Sequence, residues 1–179
     1  MIVLLVEDLH QDMLLRCYLR CRGQVHNVRS QMLPKGRGSG EQFVRERYAS
    51  EVRAIRSQLA RTRACLIAMI DADTESVQHR RQQLEGALRH ADASPRGPAE
   101  PILNPIPKRN VETWVLCLNA EPVDEIADYR RDRRIDPETI RQAANTLHSW
   151  TRANVQLPDT CVPSLRECLP EFRRVPGDE

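Results

Sequence analysis

Nowhere in these 179 residues does an apolar run approach the roughly 18 to 20 residues that span a bilayer. The apolar stretch nearest the start, Ile2 to Val6, is too short for a secretory signal and runs into Glu7 and Asp8. A membrane span and a standard secretory route are therefore not expected, and the default expectation is a cytoplasmic protein. Metal-binding cysteine patterns are missing as well. The six cysteines form no CxxC and no Cys/His set with zinc spacing, and Cys17, Cys21, Cys65, Cys117, Cys161 and Cys168 read as free thiols of a reducing compartment. Lysine is almost absent, with Lys35 and Lys108 alone among 27 basic side chains. The net charge of +2 is too small to announce a nucleic-acid binder. An arginine excess reads either as phosphate-gripping forks or as the preference of a GC-rich genome.

What is present is a core-forming chain, 40% apolar, with room for one compact domain and an extension. Ile2–Val6 and Ala64–Ile70 are continuous apolar runs of the kind covered on both faces in a parallel sheet. Val25–Met32 reads as a weaker strand, and proline restraint makes Pro101–Pro107 extended, a candidate edge strand. Helical spacing marks Asp8–Arg22, stopped by Gly23, with Leu9, Met13, Leu14, Leu15 and Leu19 apolar. It also marks Glu41–Arg63, with Phe43, Val44, Val52, Ile55 and Leu59 inward. Further helices are expected over Thr74–His90 with Thr74 as cap, Asn110–Leu118, Pro137–Trp150 and Pro163–Arg173. Alternating strands and helices predict an α/β fold, a mostly parallel sheet of about four strands flanked by helices. Residues 1–118 are expected to form the domain, and 119–179 a helical extension packed on it.

Sites in such sheets form at the carboxyl ends of the strands. Two apolar runs end in acids: the first at Glu7-Asp8, the second at Asp71-Ala-Asp73. Alternation along an extended backbone places Asp71 and Asp73 on one side, about 7 Å apart at their roots, with Glu7 projecting into the same crevice. Three gathered carboxylates repel one another, and a hard divalent ion, Mg²⁺ or Mn²⁺, relieves the repulsion. In Pro107-Lys-Arg-Asn-Val-Glu-Thr-Trp114, Lys108 and Arg109 suit a scissile phosphate, Glu112 a metal contact and Asn110 a helix cap. A helix start with solvated charges and a packed Trp114 is the plainer reading of that segment.

Pro34-Lys-Gly-Arg-Gly-Ser-Gly40 lacks the GxxxxGK[ST] arrangement and is no P-loop. It reads either as a phosphate contact through backbone N–H groups, Lys35 and Arg37, or as a plain surface loop. The basic runs Arg45/Arg47/Arg53/Arg56 and Arg130/Arg131/Arg133/Arg134 flank a nucleic-acid groove or are solvated faces. His10 lies near Glu7 in sequence without a catalytic pattern of its own.

Val6-Glu7 closing a first strand, a glycine-rich loop, and Ile70-Asp-Ala-Asp73 closing a later strand together resemble the TOPRIM domain over roughly residues 1–118. This Rossmann-like domain is shared by topoisomerases, bacterial primases and nucleases of the overcoming-lysogenization-defect (OLD) type. The resemblance implies acid/base work for Glu7 and Mg²⁺ binding by Asp71 and Asp73. Asp8 stands where many members carry glycine. The RN-x-E-x-W segment is similar to that of small stand-alone members. Such proteins often work beside a separately encoded ATPase of the ABC or structural-maintenance type, many in bacterial defence against phage.

The expected function is thus a Mg²⁺- or Mn²⁺-dependent nuclease cutting DNA or RNA, catalytic through Glu7, Asp71, Asp73, Lys108 and Arg109. The alternatives are a scaffold or regulatory subunit that keeps the fold without chemistry, and a phospho-acceptor. Ile2–Asp8 also resembles the opening of bacterial receiver domains, but Ala72–Ser76 leads straight into a polar helix and Arg109 follows Lys108 where receivers carry proline. The Arg-rich helices and the tail leave room for homo-oligomers.

Overall fold

In a computed structural model, residues 1–34 and 36–176 are described. Lys35, one of the two expected phosphate contacts in the glycine-rich loop, lies outside them. Among the described residues the fold is α/β and Rossmann-like, a four-stranded, wholly parallel sheet flanked by six helices. In chain order these are β1 (Ile2–Leu5), α1 (Leu9–Cys21), β2 (Val28–Gln31), α2 (Gly40–Gln58), β3 (Cys65–Ala68) and α3 (Val77–His90). β4 (Ile102–Leu103), α4 (Val111–Leu118), α5 (Pro137–Trp150) and α6 (Pro163–Arg173) follow.

The sheet order is β2-β1-β3-β4, with Ile2 opposite Val28 on one side and Cys65 on the other. Pleating splits β1 between two cores. Leu4 and Val6 join Ile67, Met69 and Trp114 under α1, α4, α5 and α6. Val3 and Leu5 join Leu66, Ile70, Val44, Val52 and Leu84 under α2 and α3. The segment after α4 is thus part of the first core: Ile140, Leu147, Leu165 and Phe172 are buried there, and the Tyr18 hydroxyl donates to the Phe172 carbonyl at 2.9 Å.

Local chemistry sets most boundaries. Asp8 caps α1 by accepting the Gln11 N–H, Asn110 caps α4 by accepting the Thr113 N–H, and Pro137 and Pro163 open α5 and α6. Ser76, not Thr74, caps α3: its hydroxyl accepts the His79 N–H at 2.9 Å, and the helix starts later than its polar pattern predicts. α2 ends at Gln58 rather than Arg63, leaving Leu59 at the surface, and Leu9 at the start of α1 is also exposed. The cysteines are all free, with Cys65, Cys117, Cys161 and Cys168 buried. Among the described residues no helix is long and apolar enough to cross a membrane.

Candidate active site at the carboxyl rim of the sheet

Because β2 and β3 lie on opposite sides of β1, the chain reverses direction across the sheet between β1 and β3, where α/β folds open a crevice. The segments leaving those two strands carry Glu7 and Asp71, and they are joined directly. A Glu7 carboxylate oxygen accepts the backbone N–H of Asp71 at 2.5 Å. Gln11, fully buried on α1, bridges the pair from beneath. Its Oε1 accepts the Glu7 N–H at 3.0 Å and its Nε2 donates to Asp71 Oδ1 at 2.9 Å. Gly40, the first residue of α2, closes the other side, where a Cβ would stand 2.6 Å from the Glu7 carbonyl oxygen. Glycine is required there by the close approach of backbone to backbone.

Glu112, on the first turn of α4, is 2% exposed. One of its oxygens meets His10 Nδ1 at 2.6 Å, and the other is buried without a hydrogen-bond partner. Glu7, Asp8, Asp71 and Glu112 therefore lie along one rim, and the titration of Glu7, Asp8 and Asp71 reflects it. Burial, against the Asp71 N–H and with Asp8 adding repulsion, pushes the Glu7 carboxyl up to about 7. Burial and then the charges of Glu7, Asp8 and Glu112 push Asp71 well above the usual carboxylate range. Asp8 is also raised, by burial foremost, despite the Gln11 N–H it accepts. His10 moves upward through its hydrogen bond to Glu112.

Asp73 corrects the alternation argument. It has φ +57°, so the extended backbone ends and the chain turns. Asp71 faces inward onto Gln11, whereas Asp73 faces Arg130, with which it forms an ion pair, and Arg80, 3.9 Å away. Among the described residues no three histidine, cysteine or carboxylate side chains converge closely enough to hold a metal ion as they stand. The donor set nonetheless suits a hard divalent cation. It is made of carboxylate oxygens, two of its groups are held toward protonation by burial and mutual repulsion, and one oxygen of Glu112 lacks a partner.

Lys108 and Arg109 point to different neighbours. The Lys108 ammonium donates to the Glu75 carbonyl at 2.6 Å and borders a groove of about 370 Å³ between α3 and α6. Arg109 pairs with Asp128 at 3.6 Å. The glycine-rich loop roofs a cleft of about 170 Å³ lined by Glu7, Asp8, Gly36, Gly38 and Gly40. Arg37 is exposed and stands outside that lining.

Gln11 and Arg80 are site residues that sequence reasoning missed, and Arg130, read there only as part of a basic run, pairs with Asp73. Arg80, 4% exposed, donates to the Asp71 carbonyl at 3.0 Å and pairs with Glu41, which fixes the turn between the two aspartates. Its only sequence signal is one arginine among many on a polar helix. Gln11 stands one helical turn after Glu7, a spacing that would have drawn notice only with the strand end already located.

Comparison with models of known protein families, with curated proteins and with solved structures gives no match. The fold and the rim geometry therefore define the class, an α/β protein of Rossmann-like architecture with buried Asp71 and half-buried Glu7 joined at its sheet switch point.

Proposed function

We propose that this chain is a divalent-cation-dependent phosphodiester hydrolase, a nuclease of TOPRIM-like design acting on DNA or RNA. The observation that carries the reading is the joining of Glu7 to Asp71 across β1 and β3, with Asp8 and Glu112 close enough to raise the Asp71 proton affinity. Such a rim is relieved by a proton or by a cation. A divalent ion held by Glu7, Asp71 and Glu112 would polarise a phosphate and lower the pKa of a bound water. Glu7 lies at the same rim, where its carboxylate would hold the ion or pass a proton to and from the bound water. Gln11 holds Glu7 and Asp71 in register, and Arg109 supplies positive charge for the phosphate. From the resemblance alone comes the rest of the proposal: a partner ATPase of the ABC or structural-maintenance type, and a role in defence against phage.

The test is thermal melting with millimolar Mg²⁺ or Mn²⁺ at pH 8, paired with cleavage of labelled DNA and RNA. A rise in the midpoint that Asp71→Asn removes, and cleavage lost in Glu7→Gln and Asp71→Asn, supports the reading. Cleavage that survives both substitutions removes the site assignment. The engagement of Asp73 by Arg130 and Arg80 favours a second reading, a non-catalytic subunit of such a complex, whose mark would be no cation-induced rise at all.

A further inference from the structure

Four residues form a closed circuit beside the carboxylate rim. The Asp73 N–H donates to the Arg109 carbonyl at 3.2 Å, and the Arg109 guanidinium lies 3.6 Å from the Asp128 carboxylate. Asp128 accepts the Arg130 N–H at 3.0 Å and the Asn110 side-chain amide at 2.8 Å. The Arg130 guanidinium then returns to Asp73 in an ion pair. Each arginine fork thus rests on an internal carboxylate, and Nε of Arg109 is buried without a partner.

Residues 119–136, which carry Asp128 and Arg130, contain no helix or strand, and the Arg130 side chain is 47% exposed. An ion pair so open to water is weak and readily exchanged. A phosphodiester presents two free oxygens much as a carboxylate does, and an arginine fork binds both groups with the same paired donors. Arg80, by contrast, is buried and tied to Glu41, so it remains when Arg130 leaves.

We propose that Arg109 and Arg130 form a phosphate-gripping site for a nucleic-acid backbone, masked in the free protein by Asp128 and Asp73. An incoming phosphodiester takes Arg130 from Asp73, which leaves the Asp73 carboxylate, two residues from Asp71 and still 3.9 Å from Arg80, with less of its negative charge offset beside the rim. Nucleic acid and divalent cation then favour each other's binding. This second half rests on the reading of the rim as a cation site.

Two binding measurements on the intact chain test it. The first is fluorescence anisotropy of a labelled 12-nucleotide single strand, DNA and RNA, in EDTA. Arg130→Gln is expected to weaken binding about three- to tenfold, and Asp73→Asn, which removes the mask, to strengthen it about threefold. The second is Mn²⁺ binding followed by electron paramagnetic resonance without nucleic acid, in which Arg130→Gln is expected to tighten binding about threefold. Unchanged oligonucleotide affinity in Arg130→Gln, or weaker affinity in Asp73→Asn, overturns the masked site. Normal Mn²⁺ binding that Arg130→Gln leaves unmoved overturns the coupling while the cation site stands. If the wild-type chain binds no Mn²⁺, the cation reading fails, and the oligonucleotide arm alone decides the arginine pair.

Discussion

Glu7 and Asp71 are 64 residues apart in sequence, yet the carboxylate of one accepts the backbone N–H of the other at 2.5 Å. That bond ties the end of β1 to the end of β3 and puts a carboxyl group at the point where the sheet reverses its winding. Asp71 is buried by this packing and Glu7 is left half-buried beside the cleft. The consequences are electrostatic, and they can be measured.

The Glu7 carboxyl is raised from 4.5 to about 7, so the folded chain holds its proton more tightly than the unfolded one. Stability from this group is full below about pH 4.5 and is lost as pH rises through about 7. Glu7→Gln keeps an acceptor for the Asp71 N–H and removes the titration. In urea unfolding at pH 5 and pH 8 the variant should lose less stability between the two than the wild type, by on the order of 2 kcal/mol. Equal losses would show that Glu7 is ordinarily hydrated.

The His10 imidazole sits above its ordinary 6.5 because Glu112 accepts its hydrogen bond. Its contribution to stability is therefore present below about pH 6.5 and fades as pH rises through the higher folded value. Proton NMR should place the His10 midpoint above those of exposed histidines, and Glu112→Gln should bring it down. A midpoint that ignores Glu112→Gln would remove the pair from solution.

Two glycines at helix positions should respond with opposite signs. At Gly40 a Cβ would lie 2.6 Å from the Glu7 carbonyl oxygen and 3.0 Å from its Cα, both backbone, so Gly40→Ala should cost about 1–3 kcal/mol and shift Glu7. At Gly86, within α3, nothing lies within 4 Å, and Gly86→Ala should gain about 0.5–1 kcal/mol. Denaturant midpoints of the two variants decide the matter.

Ser164 joins the extension to the segment that carries Lys108 and Trp114. Its hydroxyl accepts the Trp114 indole N–H at 2.7 Å and the Lys108 backbone N–H at 3.2 Å. Ser164→Ala leaves both donors without that acceptor and should cost about 2 kcal/mol. Combined with Trp114→Phe the losses should sum to less than their parts, since one bond is shared. Full additivity in chemical unfolding would place the two groups out of contact.

The elements with short-range causes were readable from the residues alone. Apolar runs 2–6 and 64–70 became strands covered on both faces, and Asp8, Asn110, Pro137 and Pro163 opened the helices they were expected to open. The acids that close the two strands also followed from order along the chain. Thr74 and Leu59 misled for a local reason: a hydroxyl two residues earlier than Ser76 and an apolar residue past the true helix end carry the same periodic signal as the correct ones. Asp73 misled because alternation assumes an extended backbone, and a positive φ there breaks it.

The tertiary structure alone decided which charges meet. Gln11 beneath Asp71, Arg80 against its carbonyl, His10 on Glu112 and Arg130 on Asp73 join residues between 9 and 102 positions apart. Periodicity and capping act within a turn or two of chain, so they fix where elements begin and which face is apolar. Pairing of polar groups depends instead on the distances left after the two cores have closed, and on burial that makes an unmatched charge costly.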